Sequence, residues 1–137
     1  MDDKWKLRFM GLADHIASWS KQEVKVGAVL TDSNKRVKGV GYNGPPEDFD
    51  DADLTSENST FVVIHAEINA LQNSTGSGLT MLVNSQPCLP CAAAIVASQR
   101  VVEVVLPRNS SDGRWSESQK QAIKHFEKKG IKVTYGR

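Results

Sequence analysis

The last part of the chain reads VVEVVLPRNSSDGRWSESQKQAIKHFEKKGIKVTY, residues 101–135, and this stretch decides the fold. Val101 to Leu106 is a short apolar run, typical of a buried strand. Ser116 followed by Gln119 can form a capping box, and Gly130 after two lysines suits a helix C-terminus. The residues after Gly130 alternate as a final strand. The helix between these strands is long enough to make them parallel neighbours through a right-handed crossover.

The rest of the chain supplies further elements of the same kind. Apolar residues at helical spacing from Trp5 to Trp19 predict a first helix with one apolar stripe. Alternation predicts a strand over Val24–Thr31 with one buried face, and an antiparallel return strand over Val37–Tyr42. The stretch Asn43–Thr60 is predicted to be a long loop, of a length that either carries function or stays mobile. The remaining predicted elements are a helix at Ile64–Gln72, a strand at Leu79–Val83, and a central helix, apolar nearly all round, at Cys88–Ser98.

These elements follow one another in the order αββαβαβαβ. That order predicts an α/β fold with three layers, α/β/α, around a five-stranded mixed sheet whose last two strands are parallel. The chain has 137 residues, enough to bury a core without disulfides. We see no repeat and no linker, so we predict a single domain over residues 1–137.

Composition and charge argue against several classes of protein. The chain is 39% hydrophobic and 24% charged, as in ordinary soluble proteins. It has no apolar run approaching the roughly 20 residues that span a bilayer, and its start, Met1-Asp2-Asp3, does not read as a secretory signal. We therefore predict a cytoplasmic protein with no membrane partner. The net charge of +1, from 17 basic and 16 acidic residues, predicts no nucleic-acid partner.

The chemistry is concentrated in two short motifs, each at the start of a predicted helix. The first is His65-Ala66-Glu67, and the second is Pro87-Cys88-Leu89-Pro90-Cys91. A catalytic zinc takes three protein ligands and leaves its fourth tetrahedral position open. One imidazole and two thiolates, from His65, Cys88 and Cys91, supply those three ligands and balance the charge of Zn²⁺. Helix N-termini favour thiolates.

Glu67 lies two residues after His65, so on a helix its side chain points elsewhere and need not bind the metal. A carboxylate beside an activated water can take its proton and return it to a substrate nitrogen. The combination H-x-E and P-C-x-x-C is the signature of zinc nucleobase deaminases. It predicts hydrolytic deamination, in which the activated water attacks the amine-bearing ring carbon and ammonia leaves.

Two other interpretations of the cysteine pair remain open at this point. Cys88 and Cys91 can form a redox pair, or half of a structural zinc site. A structural site normally has four protein ligands, and the sequence has no further cysteine to complete one. His15 and His125 would serve only by accident of folding.

Four segments carry a family resemblance: VGAV at 26–29, GYNG at 41–44, HAEINA at 65–70 and PCLPCA at 87–92. In them the chain resembles the cytidine/deoxycytidylate deaminase superfamily over nearly its whole length, and within it the deoxycytidylate (dCMP) deaminases. The resemblance implies a cytidine-deaminase-like fold, one catalytic Zn²⁺, a pyrimidine nucleotide substrate and a homo-oligomer. The implied reaction is dCMP + H₂O to dUMP + NH₃, with attack at C4 and protons carried by Glu67.

The resemblance also assigns substrate contacts. Asn43 is expected to bind the sugar or the base edge, and Ala66 to hold the pyrimidine carbonyl through its backbone N–H. Gly27 and Ala28 are expected to pack near the ring. Two further expectations each have a structural alternative. Lys25 lies near the substrate phosphate or simply faces solvent. Asn69 orients the loop carrying Asn43 or caps it. Trp115 is expected to pack, or to act as a lid over the nucleotide.

The chain departs from its larger relatives between Gly44 and Ile64. Those relatives carry a cysteine-rich insert with an extra zinc there, whereas this stretch has no cysteine. In many relatives the region also helps to bind dCTP or dTTP as an effector. Here its acidic residues would repel a triphosphate unless Mg²⁺ intervened, so we expect no such regulation; they are Glu47, Asp48, Asp50 and Asp51.

Two other functions compete with dCMP deamination. A tRNA adenosine deaminase would share both motifs, and the predicted last helix does carry four lysines, but Glu117 and Glu127 lie among them. Such an enzyme would bind in a strongly salt-dependent way. The other alternative is a zinc-stabilised binding module without activity. Glu67 argues against it, because the minimal catalytic set is intact.

Overall fold

The computed structural model describes residues 1–46, 48–55, 57–58, 62–108 and 116–137. The predicted order αββαβαβαβ is confirmed, with one short 3₁₀ helix, Asp51–Asp53, added in the long loop. The helices are α1 Asp3–Ala17, α2 Ala66–Gln72, α3 Leu89–Ser98 and α4 Glu117–Lys128. The strands are β1 Gly27–Thr31, β2 Val37–Tyr42, β3 Leu79–Val83, β4 Val101–Leu106 and β5 Lys132–Tyr135.

The five strands form one mixed sheet in the order β2-β1-β3-β4-β5. β1 runs antiparallel to β2 and to β3. β3 pairs in parallel with β4, and β4 pairs in parallel with β5. The parallel part of the sheet, predicted for the last two strands, therefore includes a third strand. None of the helices in the described ranges has the length and hydropathy that crossing a membrane requires.

The sheet is covered on both faces, which gives the three predicted layers. On one face α1 packs Phe9, Met10 and Ala13 against Val29 and against neighbouring strand residues. On the other face lies a larger apolar cluster to which α2, α3 and α4 contribute; its helical members are Ala66, Ala70, Leu71, Ala92, Ile95, Ala122 and Phe126.

This double cover corrects the prediction for β1. Alternation in the sequence predicted a strand over Val24–Thr31 with one buried face, but all five residues of β1 are buried and the strand begins at Gly27. The reason is its central place: Val29 faces α1, while Ala28 and Leu30 belong to the larger cluster. Val24 lies outside the strand and is 68% exposed.

Two glycines bring helices unusually close to the sheet. A Cβ on Gly27 would lie 2.0 Å from the carbonyl oxygen of Ala13 in α1. A Cβ on Gly41 in β2 would lie 2.3 Å from the backbone nitrogen of Ala70 and 2.5 Å from the oxygen of Ala66, both in α2. The absence of side chains at these two positions therefore sets the distance of α1 and α2 from the sheet.

The ends of the first and last helices follow their sequence signals. Asp2 caps α1 by accepting from the backbone N–H of Trp5 at 3.0 Å. Ser116 and Gln119 form the predicted capping box of α4. α1 ends at Ala17, however, so Trp19 is not part of its buried stripe and is 51% exposed.

The prediction that α3 is central, because its sequence is apolar nearly all round, is wrong. Cys91, Ala92 and Ile95 are buried, but the alanines on its other side are exposed: Ala93, Ala94 and Ala97. Alanine is apolar but small, so a run of alanines does not indicate which side of a helix is covered. One face of α3 packs on the rest of the protein, and that face is sufficient to hold the helix.

Candidate active site

Three metal-binding side chains come together where α2 and α3 begin. His65 is the N-cap residue of α2, and Cys88 is the N-cap residue of α3. Cys91 lies in the first turn of α3, one residue after Pro90, which begins the helix well because its fixed φ suits that position. The unpaired N–H groups of both helices create a positive potential at this point, and that potential favours thiolates.

The three side chains are close enough to hold one ion. Their ligand atoms all lie within 4.8 Å of one another. Nδ1 of His65 is 3.6 Å from Sγ of Cys88 and 3.0 Å from Sγ of Cys91. Zinc–ligand bonds of about 2.0–2.3 Å in a tetrahedron place the ligand atoms about 3.5 Å apart. The donor set and its spacing therefore fit a zinc ion with one open position.

The surroundings of Cys91 also point to a cation. Burial raises the pKa of the Cys91 thiol far above its ordinary range, and the neighbouring Glu67 carboxylate raises it further. A thiolate at this position therefore needs a positive charge beside it. A bound metal ion supplies that charge and deprotonates the thiol.

Glu67 lies in the first turn of α2 and is only 4% exposed. Burial raises the pKa of its carboxyl, while its own backbone N–H, His65 and a hydrogen bond with Cys91 oppose that rise. A raised pKa suits a carboxyl that has to accept a proton and then give it up near neutral pH. A buried carboxyl therefore lies directly beside the three side chains that could hold a metal ion.

A cavity of about 260 Å³ opens onto this group. It is smaller than the roughly 300–1,000 Å³ usual for drug-sized ligands, so it suits a single ring and not a whole nucleotide. Its walls come from the segment before β1, the ends of β2 and β3, and the starts of α2 and α3; they are Val24, Val26, Asn43, His65, Ala66, Glu67, Ser85, Gln86 and Cys88.

Comparison with known families agrees with this geometry. Residues 3–107 match the family described as cytidine and deoxycytidylate deaminase zinc-binding region. The chain belongs to the cytidine and deoxycytidylate deaminase family. All the metal-binding side chains and Glu67 lie inside the matched region. The family is a hydrolytic, zinc-binding one, as the two motifs predicted.

Two relatives resemble this deaminase family member along most of its length. An uncharacterised deaminase of Aliivibrio fischeri is 34% identical over 142 aligned residues, which cover 98% of this chain and 95% of the relative. The deoxycytidylate deaminase of Mycobacterium phage D29 is 34% identical, over 77% of this chain and 96% of its own.

A solved structure shows the same architecture. The dCMP deaminase of cyanophage S-TIM5, in its apo form, has a TM-score of 0.76 and 26% sequence identity, and the match covers 98% of this chain and 99% of that one. The predicted three-layer deaminase fold is confirmed by this likeness and by the strand order.

The residues expected to contact substrate lie in different places. Asn43 and Ala66 line the cavity. Gly27 and Ala28 are buried and are not among the described residues that line it. Lys25 donates from Nζ to the carbonyl of Ser20 at 2.5 Å, a bond within its own segment.

Asn69 connects α2 to the loop that follows β2. Its Nδ2 donates to the carbonyl of Tyr42 at 2.8 Å, directly before Asn43 in the chain. This is the loop contact considered from the sequence, and it connects the loop that carries Asn43 to α2. Trp115 and Glu47, singled out in the sequence, lie outside the described residues.

The sequence reasoning missed some residues of the cavity wall: Val24, Val26, Ser85 and Gln86. Ser85 and Gln86 had an available signal, since they follow a parallel strand at its carboxyl end, where α/β folds place their ligands. Val24 and Val26 had none, because their alternation was indistinguishable from that of a strand.

A second, larger cavity of about 480 Å³ adjoins the first, and Asn43 lines both. Trp19 and Tyr42 meet edge to face there, with ring centroids 6.3 Å apart. Polar side chains share the wall with them, among them Lys21, Gln22 and Asp50.

Proposed function

We propose that this deaminase converts dCMP and water into dUMP and ammonia. The observation that carries the proposal is the juxtaposition of His65, Cys88 and Cys91 with the buried carboxyl of Glu67 at the end of a ring-sized cavity. His65, Cys88 and Cys91 would hold the zinc. When bound, zinc supplies a Lewis acid that lowers the pKa of a water to near neutrality.

In the proposed reaction Glu67 carries the protons. The water oxygen forms a bond to C4 of the pyrimidine, one water proton passes through Glu67 to N3, and the other passes through Glu67 to the amine. The bond from C4 to the amine nitrogen then breaks, ammonia leaves, and C4 keeps the oxygen as a carbonyl. Burial supports this role, because the raised pKa of Glu67 lets one carboxyl both accept and donate.

The substrate contacts form the second part of the proposal. The backbone N–H of Ala66 holds the pyrimidine carbonyl, Asn43 contacts the sugar or the base edge, and the sugar phosphate extends into the larger cavity. Ala66 at the start of α2 and the shared position of Asn43 support this. We assign a supporting role, without a direct place in the cavity lining, to four further residues: Gly27, Ala28, Lys25 and Asn69. Relatives that carry the name deoxycytidylate deaminase support dCMP as the substrate.

A substrate panel with metal analysis tests the proposal. Purified protein is offered dCMP, dCTP, deoxycytidine, cytosine and tRNA, and ammonia release is measured together with zinc content. We expect one zinc per chain and turnover of dCMP well above the others. Zinc-loaded protein that turns over no cytosine compound would contradict the proposal, and would favour a binding module.

The tRNA adenosine alternative has one observation in its favour. Lys120, Lys124 and Lys128 are exposed at i, i+4 and i+8 on α4 and form a basic stripe. Glu117 and Glu127 are exposed on the same helix, and the net charge is +1. Strong tRNA binding whose affinity falls steeply with salt would support this alternative. We expect neither that binding nor inosine formation.

We propose further that residues 1–137 act as one domain and assemble as a cytoplasmic homo-oligomer. The exposed alanines of α3 support an interface between copies, and a free cysteine pair at a metal site suits a reducing compartment. Asp50 lines the larger cavity and is exposed, as is Asp48, so an effector triphosphate would need Mg²⁺. Calorimetry with dCTP or dTTP, with and without Mg²⁺, measures this; tight binding would overturn our expectation of no regulation.

A further inference from the structure

We propose that Ser20 is a positioning residue for the deamination, acting through Asn43 on the cavity wall formed by Val24 and Val26. The inference rests on the proposed function, since it concerns the same cavity. It assigns a role to a residue outside both motifs. We call the set Ser20, Lys25 and Asn43 the clasp.

Ser20 occupies the centre of the clasp. It is 1% exposed, although it lies in the segment between α1 and β1 that has no regular structure. Its hydroxyl donates to the carbonyl of Asn43 at 2.7 Å and accepts from the backbone N–H of Gln22 at 3.2 Å. One buried hydroxyl therefore joins the loop after β2 to the turn that begins this segment.

Asn43 passes that connection to the cavity wall. Its Oδ1 accepts from the backbone N–H of Val26 at 2.9 Å, and its Nδ2 donates to the carbonyl of Val24 at 2.7 Å. Its own backbone N–H donates to the carbonyl of Val26 at 3.3 Å. Asn43 thus holds the backbone on both sides of the cavity wall, in addition to facing the cavity itself.

Lys25 closes the clasp from the other side. Its ammonium donates to the carbonyl of Ser20 at 2.5 Å and bridges the two ends of the turn. The bond accounts for the place of Lys25, for which the sequence left phosphate binding and solvent exposure as alternatives. Lys25 supports the clasp and does not touch the cavity.

The clasp matters because the wall it holds lies outside the sheet. Val24 and Val26 precede β1; Val26 packs partly against the larger apolar cluster, but Val24 is 68% exposed, so burial of its side chain does not fix the position of Val24. Side-chain hydrogen bonds to the backbone do so instead. A wall ordered in advance removes an entropy cost from ligand binding, and a loose wall restores that cost. The consequence falls on substrate affinity more than on the chemical step.

The test compares three serine variants of the full chain with zinc bound. Ser20→Ala removes the hydroxyl, and Ser20→Thr keeps it. Ser18→Ala is the matched control, because Ser18 is exposed and its hydroxyl bonds only within the end of α1, to the carbonyl of His15. We expect Ser20→Ala to raise KM for dCMP about 5- to 10-fold with kcat within twofold. Ser20→Thr should recover most of the loss, and Ser18→Ala should match wild type.

A second measurement separates this inference from the proposed function. Hydrogen exchange of the Val26 amide, without substrate, should be faster in Ser20→Ala than in wild type or Ser18→Ala. It tests the clasp even if dCMP is not the substrate. The proposal would be overturned if Ser20→Ala left both the exchange rate of the Val26 amide and KM unchanged. It would also be overturned if the variant lost zinc and its kcat fell as much as its kcat/KM. If Ser20→Ala does not fold, Lys25→Met takes its place: faster exchange at Val26 supports the clasp, and unchanged exchange overturns it.

Discussion

Asn84 and Gly27 form a closed pair of hydrogen bonds between the end of β3 and the start of β1. Oδ1 of Asn84 accepts from the N–H of Gly27 at 2.9 Å, and the N–H of Asn84 donates to the carbonyl of Gly27 at 3.2 Å. The side-chain Nδ2 of Asn84 also donates to Oδ1 of Asp14 in α1 at 3.1 Å. One side chain therefore connects α1, β1 and β3 immediately before the cavity residue Ser85.

Asp14 makes this connection depend on pH. An ion pair with Arg137 lowers the pKa of the Asp14 carboxyl, and the bond from Asn84 adds to the effect. Since the folded pKa lies below the unfolded one of about 3.9, the stabilisation is complete above that value and is lost as pH falls through the folded pKa. Asp14→Asn should therefore lower the melting temperature slightly at pH 7, and the difference from wild type should shrink as the pH falls below about 3.9. Both side chains are about two-fifths exposed, so the difference stays small.

Thermal unfolding of both proteins at pH 7, 5, 3 and 2 measures this difference. Metal loss in acid affects wild type and variant alike, so the gap between the two melting temperatures is the relevant quantity. A gap that widens on acidification would contradict the assignment.

Glu67→Gln tests the proton carrier. The amide keeps the shape of the side chain but cannot accept a proton, so kcat should fall by about 10²–10⁴. Zinc content should stay at one ion per chain, because Glu67 is not one of the three ligands. Glu127→Gln, on the exposed side of α4, is the matched control and should behave as wild type. Turnover of Glu67→Gln near the wild-type rate would remove Glu67 from the mechanism.

Cys88→Ala tests the link between metal and stability. The ion would join the starts of α2 and α3, so losing one thiolate should release it and lower the melting temperature. A chelator provides the internal comparison. It should destabilise wild type and leave Cys88→Ala unchanged, as followed by calorimetry and metal analysis. If the chelator lowered both melting temperatures equally, the metal would be bound elsewhere.

Gly41→Ala tests the close approach of α2 to β2. The new methyl group would overlap backbone atoms of Ala66 and Ala70, so the variant should lose about 1–3 kcal/mol or more of unfolding free energy. Activity should fall as well, because α2 carries Glu67. Gly11→Ala is the contrast, because a Cβ at position 11 meets nothing within 4 Å. In the middle of α1 this substitution should raise the free energy of unfolding by about 0.5–1 kcal/mol. Denaturant unfolding of both variants gives the comparison.

The parts of the fold that the sequence predicted are those with a local physical signal. The capping box at Ser116 and Gln119 marks the start of α4, and Gly130 marks its end. Each signal involves only a few neighbouring residues. The grouping of His65, Cys88 and Cys91 was also predictable, because H-x-E and P-C-x-x-C at two helix starts form a recognised zinc pattern and the three ligand atoms do lie within 4.8 Å of one another. Both predictions depend on residues close together in the chain.

The cavity wall was not predictable in the same way. Val24 and Val26 alternate as strand residues do, but their backbone groups bond to the side chain of Asn43, which lies 19 and 17 residues further along the chain. The double burial of β1 likewise follows from which strands and helices surround it. Such facts belong to tertiary packing, and the residues concerned carry no local mark of it.

His65 lies 23 residues before Cys88 and 26 residues before Cys91, with α2 and β3 between the histidine and the two cysteines. An ion held there would close a short loop of the chain. Closing a short loop costs less conformational entropy than closing a longer one. The stretch from His65, directly before α2, to Cys91 in the first turn of α3 contains all three proposed zinc ligands. Zinc binding would therefore require only this consecutive part of the chain to be in place, and not β5 at the edge of the sheet.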